Sequence, residues 1–380
     1  MDEIDTGMLL KFEEKRLSAL QPFGFVSHVH PMGAVEKLDG TTRVGWRIVH
    51  DYSFPKGGAV NDRINYVRLQ YDKMDAALAY VARHPGCYMA KIDVTAFFRH
   101  LPTDPSDWPL LCALWDFGDG PELLVDTRMP FGLKHTPEVC CRFSAVVLGM
   151  LHKALVALGY RPGLHVHISN VVDDWLVLSN DERTCEFVWL LLSDLLRDLG
   201  FSLSEKKLQG PCHKIKWLGL LIDSVQQRVF LPPSKIAKAT RLLASFAERR
   251  SKKATRREVD RLIGILSYCS SVVYGGRAFL HSMQRRRYRD AAGHVRAVND
   301  HIYLNSAFLL DVAWWRRSIE HFNGFVSIVD ADATCDIRID ATGLGGVGVF
   351  CDGGFVALSG AQLRQHYLGI RHPDTSSSTE

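Results

Sequence analysis

No stretch of the 380 residues reaches the ~18 uncharged apolar positions that a membrane-spanning helix needs, so no membrane partner is expected. The first residues, Met1-Asp2-Glu3-Ile4-Asp5, are acidic and lack the basic-then-apolar pattern of a secretory leader. The nine cysteines include no CxxC pair, and the only close set is Cys140-Cys141, so zinc-ligand spacing is missing. An odd count without a framework predicts reduced thiols in an intracellular protein, cytoplasmic or nuclear and not secreted. Internal repeats are missing too, and only the tail from Asp374 to Glu380 is compositionally biased. Charge of one sign is scarce overall, at a net +4, but it is unevenly spread. Lys235 to Arg289 hold 15 Lys and Arg against Glu248, Glu258 and Asp260, a local +12 that leaves −8 for the rest. A basic block beside an acidic remainder fits a polyanionic partner plus a carboxylate site elsewhere, and equally a solvated helical face.

What the chain does have is ordinary globular material, 47% hydrophobic and 23% charged, enough for two or three domains with their own cores. Residues 30–55 alternate apolar and polar around Asp39-Gly40, predicting a hairpin. Cys87 to Ile92 reads as a strand running into Asp93. Thr136-Pro137 reads as an N-cap with proline at the first helical position. Val139, Phe143, Val146, Val147, Met150, Leu151, Leu155 and Leu158 then recur at helical spacing until Gly159. Val166 to Ile168 and Trp175 to Leu178 predict two strands joined by a tight connection carrying Asp173 and Asp174. Phe187, Leu191 and Leu195 mark a helix stopping at Gly200, and Lys216 to Ile222 reads as one strand. Beyond Pro232-Pro233 the pattern is helical, with Thr255-Arg-Arg-Glu258 as a capping box ahead of Val259, Leu262, Ile263 and Leu266. Strand alternation returns at Ile337 and Ile339, at Val347 and Val349, and from Phe355 to Leu358. The class is α+β.

Two adjacent carboxylates on a tight apolar hairpin, Asp173 and Asp174, repel unless a cation neutralises them, and a hard divalent ion takes carboxylate oxygens. A polar turn is the plainer reading of that pair alone, as a cap or turn is of Asp93. Asp93 lies 80 residues before Asp173 at the end of another apolar strand. If the two strands share a sheet, the carboxylates form a two-metal site, one ion activating a 3′-hydroxyl and the other steadying pyrophosphate.

Five segments then resemble, in order, motifs A to E of reverse transcriptases. They are Lys91-Ile-Asp93-Val-Thr-Ala-Phe-Phe98-Arg-His-Leu-Pro102, Arg128-Met-Pro130-Phe-Gly132-Leu-Lys-His-Thr-Pro137, Asn170-Val-Val-Asp173-Asp174-Trp175, Gly200 to Lys207, and Trp217-Leu218-Gly219. Trp46-Arg47 to Asn61-Asp62 is similar to the fingers segment of gypsy- and DIRS-type retroelements. The resemblance implies a right-hand polymerase (fingers, palm, helical thumb) followed by the start of an RNase H-like α/β domain. Its divisions are residues 1–230, 231–325 and 332–380. It implies RNA-directed DNA synthesis on an RNA/DNA primer–template duplex, with dNTPs and two Mg²⁺ or Mn²⁺ ions.

Residue by residue, the resemblance assigns Asp93 and Asp173 to the metals, with Asp174 as a supporting or outer ligand. Arg47, and Lys37 in the same hairpin, would hold the triphosphate. Phe98, five residues after Asp93, would be a steric gate against a ribose 2′-hydroxyl, although a core position is the plainer reading. Phe131 would floor the nucleotide pocket, and Gly132 would allow close backbone approach. Lys206 or Lys207 would protonate pyrophosphate. Trp217, Leu218 and Gly219 would grip the primer, and the basic helices would clamp the duplex.

The chain departs from the family in two places. Val171 stands where an aromatic is usual, two residues before Asp173. Cys335 to Val349 resembles the first RNase H hairpin, with Asp340 as its first metal ligand, and Thr375 to Glu380 resembles the start of the helix bearing the second carboxylate, Glu380. The later carboxylates do not follow, so no RNase H activity is expected of this chain. A decayed or domesticated nucleic-acid-binding protein is the alternative reading. An RNA-dependent RNA polymerase is a third, against which Phe98 speaks.

Overall fold

The computed structural model describes residues 9–12, 26–39, 42–65, 74–118, 120–288, 297, 300–329, 337–341, 346–351, 354–360 and 362. The chain divides into two compact units, Met1–Leu218 and Gly219–Glu380.

In the first unit, strands β1 (Leu9–Phe12) and β2 (Val29–His30) precede a hairpin of β3 (Met32–Asp39) and β4 (Thr42–His50), the hairpin that the alternation predicts. A short helix α1 (Val60–Arg63) and the helix α2 (Met74–Arg83) lead to β5 (Tyr88–Asp93) and the one-turn α3 (Phe97–His100). Next come β6 (Cys112–Asp116), β7 (Pro121–Asp126), α4 (Thr136–Ala157), β8 (Val166–Val171), β9 (Asp174–Ser179), α5 (Glu182–Asp198), β10 (Gln209–Cys212) and β11 (Lys214–Trp217). The central sheet has the order β10-β5-β9-β8, and a second sheet has the order β1-β7-β6-β2.

The alternation of the central strands decides what each face does. Ala90, Ile92 and Val94 on β5 and its extension, and Trp175 and Val177 on β9, point to one face. There they share a core with Cys140, Val147, Leu151 and Leu155 of α4 and with Cys185, Val188, Leu192 and Leu196 of α5. Lys91, Asp93 and Asp174 alternate onto the opposite face. α2 covers the far end of that face, where the Tyr80 and His167 rings stack 5.7 Å apart.

Four local readings shift. α4 starts at Thr136 itself, with His135 as its N-cap, because the Thr136 hydroxyl donates to the Pro130 carbonyl (2.9 Å) instead of capping. Of the apolar positions predicted to recur along it, Val146, Met150 and Leu158 are exposed. The buried row of α5 runs through Val188, Leu192 and Leu196, one residue on from the predicted row, and Phe187 is exposed. The run Lys216 to Ile222 is two strands, because Leu218 (φ 46°) and Gly219 (φ 82°) break it at positive φ. Among the described residues α4 is also long and apolar enough to cross a bilayer by length and composition alone, but its inner row belongs to the sheet's core.

The second unit opens with β12 (Leu220–Asp223) and its antiparallel partner β13 (Arg228–Phe230), and β13 also pairs with the later β16 (Phe325–Ser327). Between them lie α6 (Pro233–Ala247), β14 (Lys253–Thr255), α7 (Arg256–Cys269), α8 (His281–Tyr288), β15 (His301–Tyr303) and α9 (Ser306–Glu320). Leu243, Phe246, Val259, Leu262, Leu266, Phe308, Val312 and Trp315 are buried along these helices. The predicted capping box forms: Thr255 accepts from the Glu258 amide (3.3 Å), and Glu258 accepts from the Thr255 amide (2.7 Å). Strands β17 (Ile337–Ala341), β18 (Val347–Cys351) and β19 (Gly354–Leu358) pair antiparallel in that order.

Candidate active site

Asp93 ends β5 and Asp174 begins β9, and the two are directly opposite in the antiparallel register. Asp173 occupies the two-residue turn before β9, so strand pairing brings the three predicted carboxylates to one sheet end. That turn is strained, since Val172 adopts φ 57°, a left-handed conformation that costs a β-branched residue energy. The Val172 carbonyl accepts from Asn170 Nδ2 (3.2 Å) and Ser144 Oγ (3.4 Å), which hold the turn in place. The Asp173 carbonyl accepts from the Val94 amide (3.1 Å), tying the turn to the end of β5.

Burial pushes the Asp173 carboxyl up, and the nearby charges of Asp174 and Asp93 push it further, while Lys207 opposes them. Lys207 Nζ lies 2.9 and 3.0 Å from the two Asp93 oxygens, and this contact raises its own pKa. Both Lys206 and Lys207 are exposed, and it is Lys207 that contacts Asp93, which separates the two lysines that spacing left open. Lys91, which the sequence reading passed over, lies 2.7 Å from Asp174 Oδ1. Its signal was a lone cation two residues before Asp93 in an otherwise apolar strand. Carboxylates brought to one sheet end are the hard oxygen donors that a divalent cation takes.

Two tandem phenylalanines divide their work. Phe97 is buried, its ring 5.1 Å from that of Phe201. Phe98 is half-buried with its ring 4.9 Å from that of Phe131, which is exposed. Gly132 has φ 98°, and a Cβ there would strike the His50 carbonyl oxygen, so the close approach it permits is to the chain's own backbone. Asn61 fixes this loop, donating to the Gly132 carbonyl (2.9 Å) and accepting from the Lys134 amide (2.8 Å).

Behind this pair is a buried polar network that the sequence reading also missed. Arg99, next to Phe98, is 2.8 Å from Asp126, and both are almost wholly buried. Tyr52 donates to Asp126 (2.8 Å), and burial, then Asp126, pushes its phenol well up. His50 lies 3.6 Å from Asp126, and its Nδ1 shares a 2.9 Å hydrogen bond with His30 Nε2. Burial, then His50 and His28, pushes His30 down to about 3. The donor atoms of His30, His50 and Asp126 lie within 4.8 Å of one another. Arg99 already supplies the cation for that carboxylate, so these residues read as a buried hydrogen-bond network.

Lys37 and Arg47 pair through their backbones with Gly45 and Val35 in the hairpin, and their side chains lie outside the described residues. Trp217 is buried in the first unit, while in the second unit a Cβ at Gly219 would meet the Tyr268 hydroxyl at 2.7 Å. Asp340 is exposed on β17, and Glu380 lies outside the described residues. In the basic segment Glu258 bonds Arg249 and is held down to about 2 chiefly by that contact, and Asp260 pairs with Arg256 at 3.7 Å. Lys238, Arg241, Arg250, Lys252, Lys253, Arg257, Arg261, Arg277 and Arg285 are exposed.

Residues 51–222 match the family described as reverse transcriptase (RNA-dependent DNA polymerase). These 172 of the 380 residues are similar to reverse-transcriptase domains. Two solved structures of the foamy viral protease-reverse transcriptase, each in complex with double-stranded DNA, share its fold. Both superpose with a TM-score of 0.56, at 18% and 16% identity. The alignments cover 94% of this chain but only 54% and 64% of those chains. No curated protein matches the sequence.

Proposed function

We propose that the chain is an RNA-directed DNA polymerase of a retrotransposon, extending a primer 3′-hydroxyl on an RNA/DNA duplex with dNTPs. The observation that carries this reading is the meeting of Asp93, Asp173 and Asp174 at one sheet end, with Lys207 on Asp93. In this reading the first unit holds fingers and palm, the basic helices of the second form the thumb, and residues 337–358 begin an RNase H-like domain.

Asp93 and Asp173 would hold two divalent ions, Mg²⁺ or Mn²⁺. When bound, the ions supply the charge that acidifies the 3′-hydroxyl and neutralises the pyrophosphate. The side chains do the rest. The half-buried Phe98 ring, backed by Phe131, excludes a 2′-hydroxyl by shape. The Lys207 ammonium is positioned to give its proton to the leaving group. Exposed cations on α6 and α7 contact phosphates without reading sequence.

Primer extension on an RNA template, with Mg²⁺ or Mn²⁺, tests this. Wild type extends the primer, while Asp173→Asn falls by at least ~10³-fold with duplex binding retained. Extension by Asp173→Asn at the wild-type rate would remove the metal-site assignment. Tight duplex binding with no extension by either protein would favour a domesticated binding protein instead.

A further inference from the structure

Of the three carboxylates at the sheet end, two have a lysine partner, and the two partnerships differ in kind. Lys207 reaches Asp93 from a short 3-10 turn, Glu205–Lys207, and its side chain is 61% exposed. Lys91 is built into the middle of β5, opposite Leu176 on one side and Gln209 on the other, and its carbonyl accepts from Trp189 Nε1 at 3.1 Å. Because Asp93 faces Asp174, Lys91 is the diagonal neighbour of Asp174 on the same face, within reach of a long side chain. The pair closes to 2.7 Å with only 15% and 24% of the two side chains exposed.

This difference decides what an arriving dication can displace. An ammonium that is mostly in water regains its hydration when it leaves a carboxylate, so Lys207 can yield Asp93 cheaply. Lys91 has little water to turn to. Parting it from Asp174 would leave a poorly hydrated ammonium on a fixed strand beside a divalent cation, so desolvation and repulsion both oppose the exchange.

We propose that Lys91 is a positioning residue that withholds Asp174 from the metal, leaving Asp93 and Asp173 as the metal-holding pair while Lys207 gives way. The inference rests on the polymerase reading of this site and deepens it. Asp174 then orients the sheet end and balances Lys91 instead of ligating an ion.

The test is Mn²⁺ binding to the purified full chain without nucleotide or nucleic acid, followed by calorimetry or by the Mn²⁺ spin-resonance signal. Replacing the pair by neutral side chains, Lys91→Met with Asp174→Asn, removes no net charge. The double variant binds Mn²⁺ within about twofold of wild type, while Asp93→Asn and Asp173→Asn each weaken binding about tenfold or more. Lys207→Met tightens binding about fivefold, because its competing ammonium is gone. Lys91→Met alone frees Asp174 and also tightens binding, and Lys91→Arg, which keeps the ion pair, restores the wild-type value. These single variants decide the matter should the double variant fail to fold. A double variant as weak as Asp173→Asn, or Lys91→Met indistinguishable from wild type, overturns the proposal and leaves the polymerase reading standing. Wild type that binds no Mn²⁺ overturns both.

Discussion

At the scale of single residues, two adjacent phenylalanines face different surroundings. Phe97 and Phe98 are chemically identical, and only the turn of α3 sends one into the core and leaves the other against Phe131. Phe98→Ala should raise ribonucleotide incorporation by ~10- to 100-fold relative to deoxyribonucleotides in single-nucleotide extension, with little loss of folding. An unchanged ratio would remove the gate. Gly132→Ala should cost more than about 2 kcal/mol in chemical denaturation, because its Cβ would strike the His50 carbonyl and the backbone is already at φ 98°. The carboxylates were legible because strand and turn patterns are short-range signals. Lys91 was harder to read, because its partner is 83 positions away and only the register of β5 on β9 joins them. That Lys207 and not Lys206 contacts Asp93 likewise needed coordinates, since both share one charged run.

Among the elements, the capping box of α7 was read correctly because its chemistry is confined to four residues. The break at Leu218–Gly219 was missed because a β-run of apolar residues does not announce positive φ in a leucine. The buried network joining β2, β4, α3 and β7 was invisible for another reason. His30, His50, Arg99 and Asp126 are scattered along the sequence, and each is unremarkable alone. Two consequences follow. Arg99→Met should destabilise the first unit by about 3–5 kcal/mol, measured by denaturant titration, because it strands a buried Asp126 carboxylate. His30 stays neutral in the fold down to about 3, whereas an unfolded chain protonates it near its ordinary 6.5. Its contribution is therefore complete above about 6.5 and fades, at about 1.4 kcal/mol per unit, as pH falls from there towards 3. His30→Gln, which keeps a polar atom towards His50, should flatten the fall in melting temperature between those limits. An equally steep fall would mean that another group carries it.

For the whole molecule, the uneven charge gains a spatial meaning. The acids within the basic segment are largely spent on neighbouring arginines, so the exposed cations of α6, of α7 and of the stretch between them remain available to a polyanion. Duplex affinity should fall steeply with salt. Replacing Lys252 and Lys253 by glutamine should lower the log–log slope by ~0.9 for each phosphate that is no longer neutralised, equally on any sequence. A slope that does not move would take those two residues off the duplex.

The lysines at the sheet end also bear on how the protein is made. A cluster of bare carboxylates would tie folding to the supply of magnesium, and a chain emerging where the ion is scarce would stall. Lys91 and Lys207 lend two of the three carboxylates a resident positive charge from the chain itself. If the site takes the proposed ions, the polypeptide can mature first and be charged with them afterwards, so a chelator should silence primer extension while leaving the melting temperature of the first unit nearly where it was, and restored magnesium should revive extension without a refolding lag.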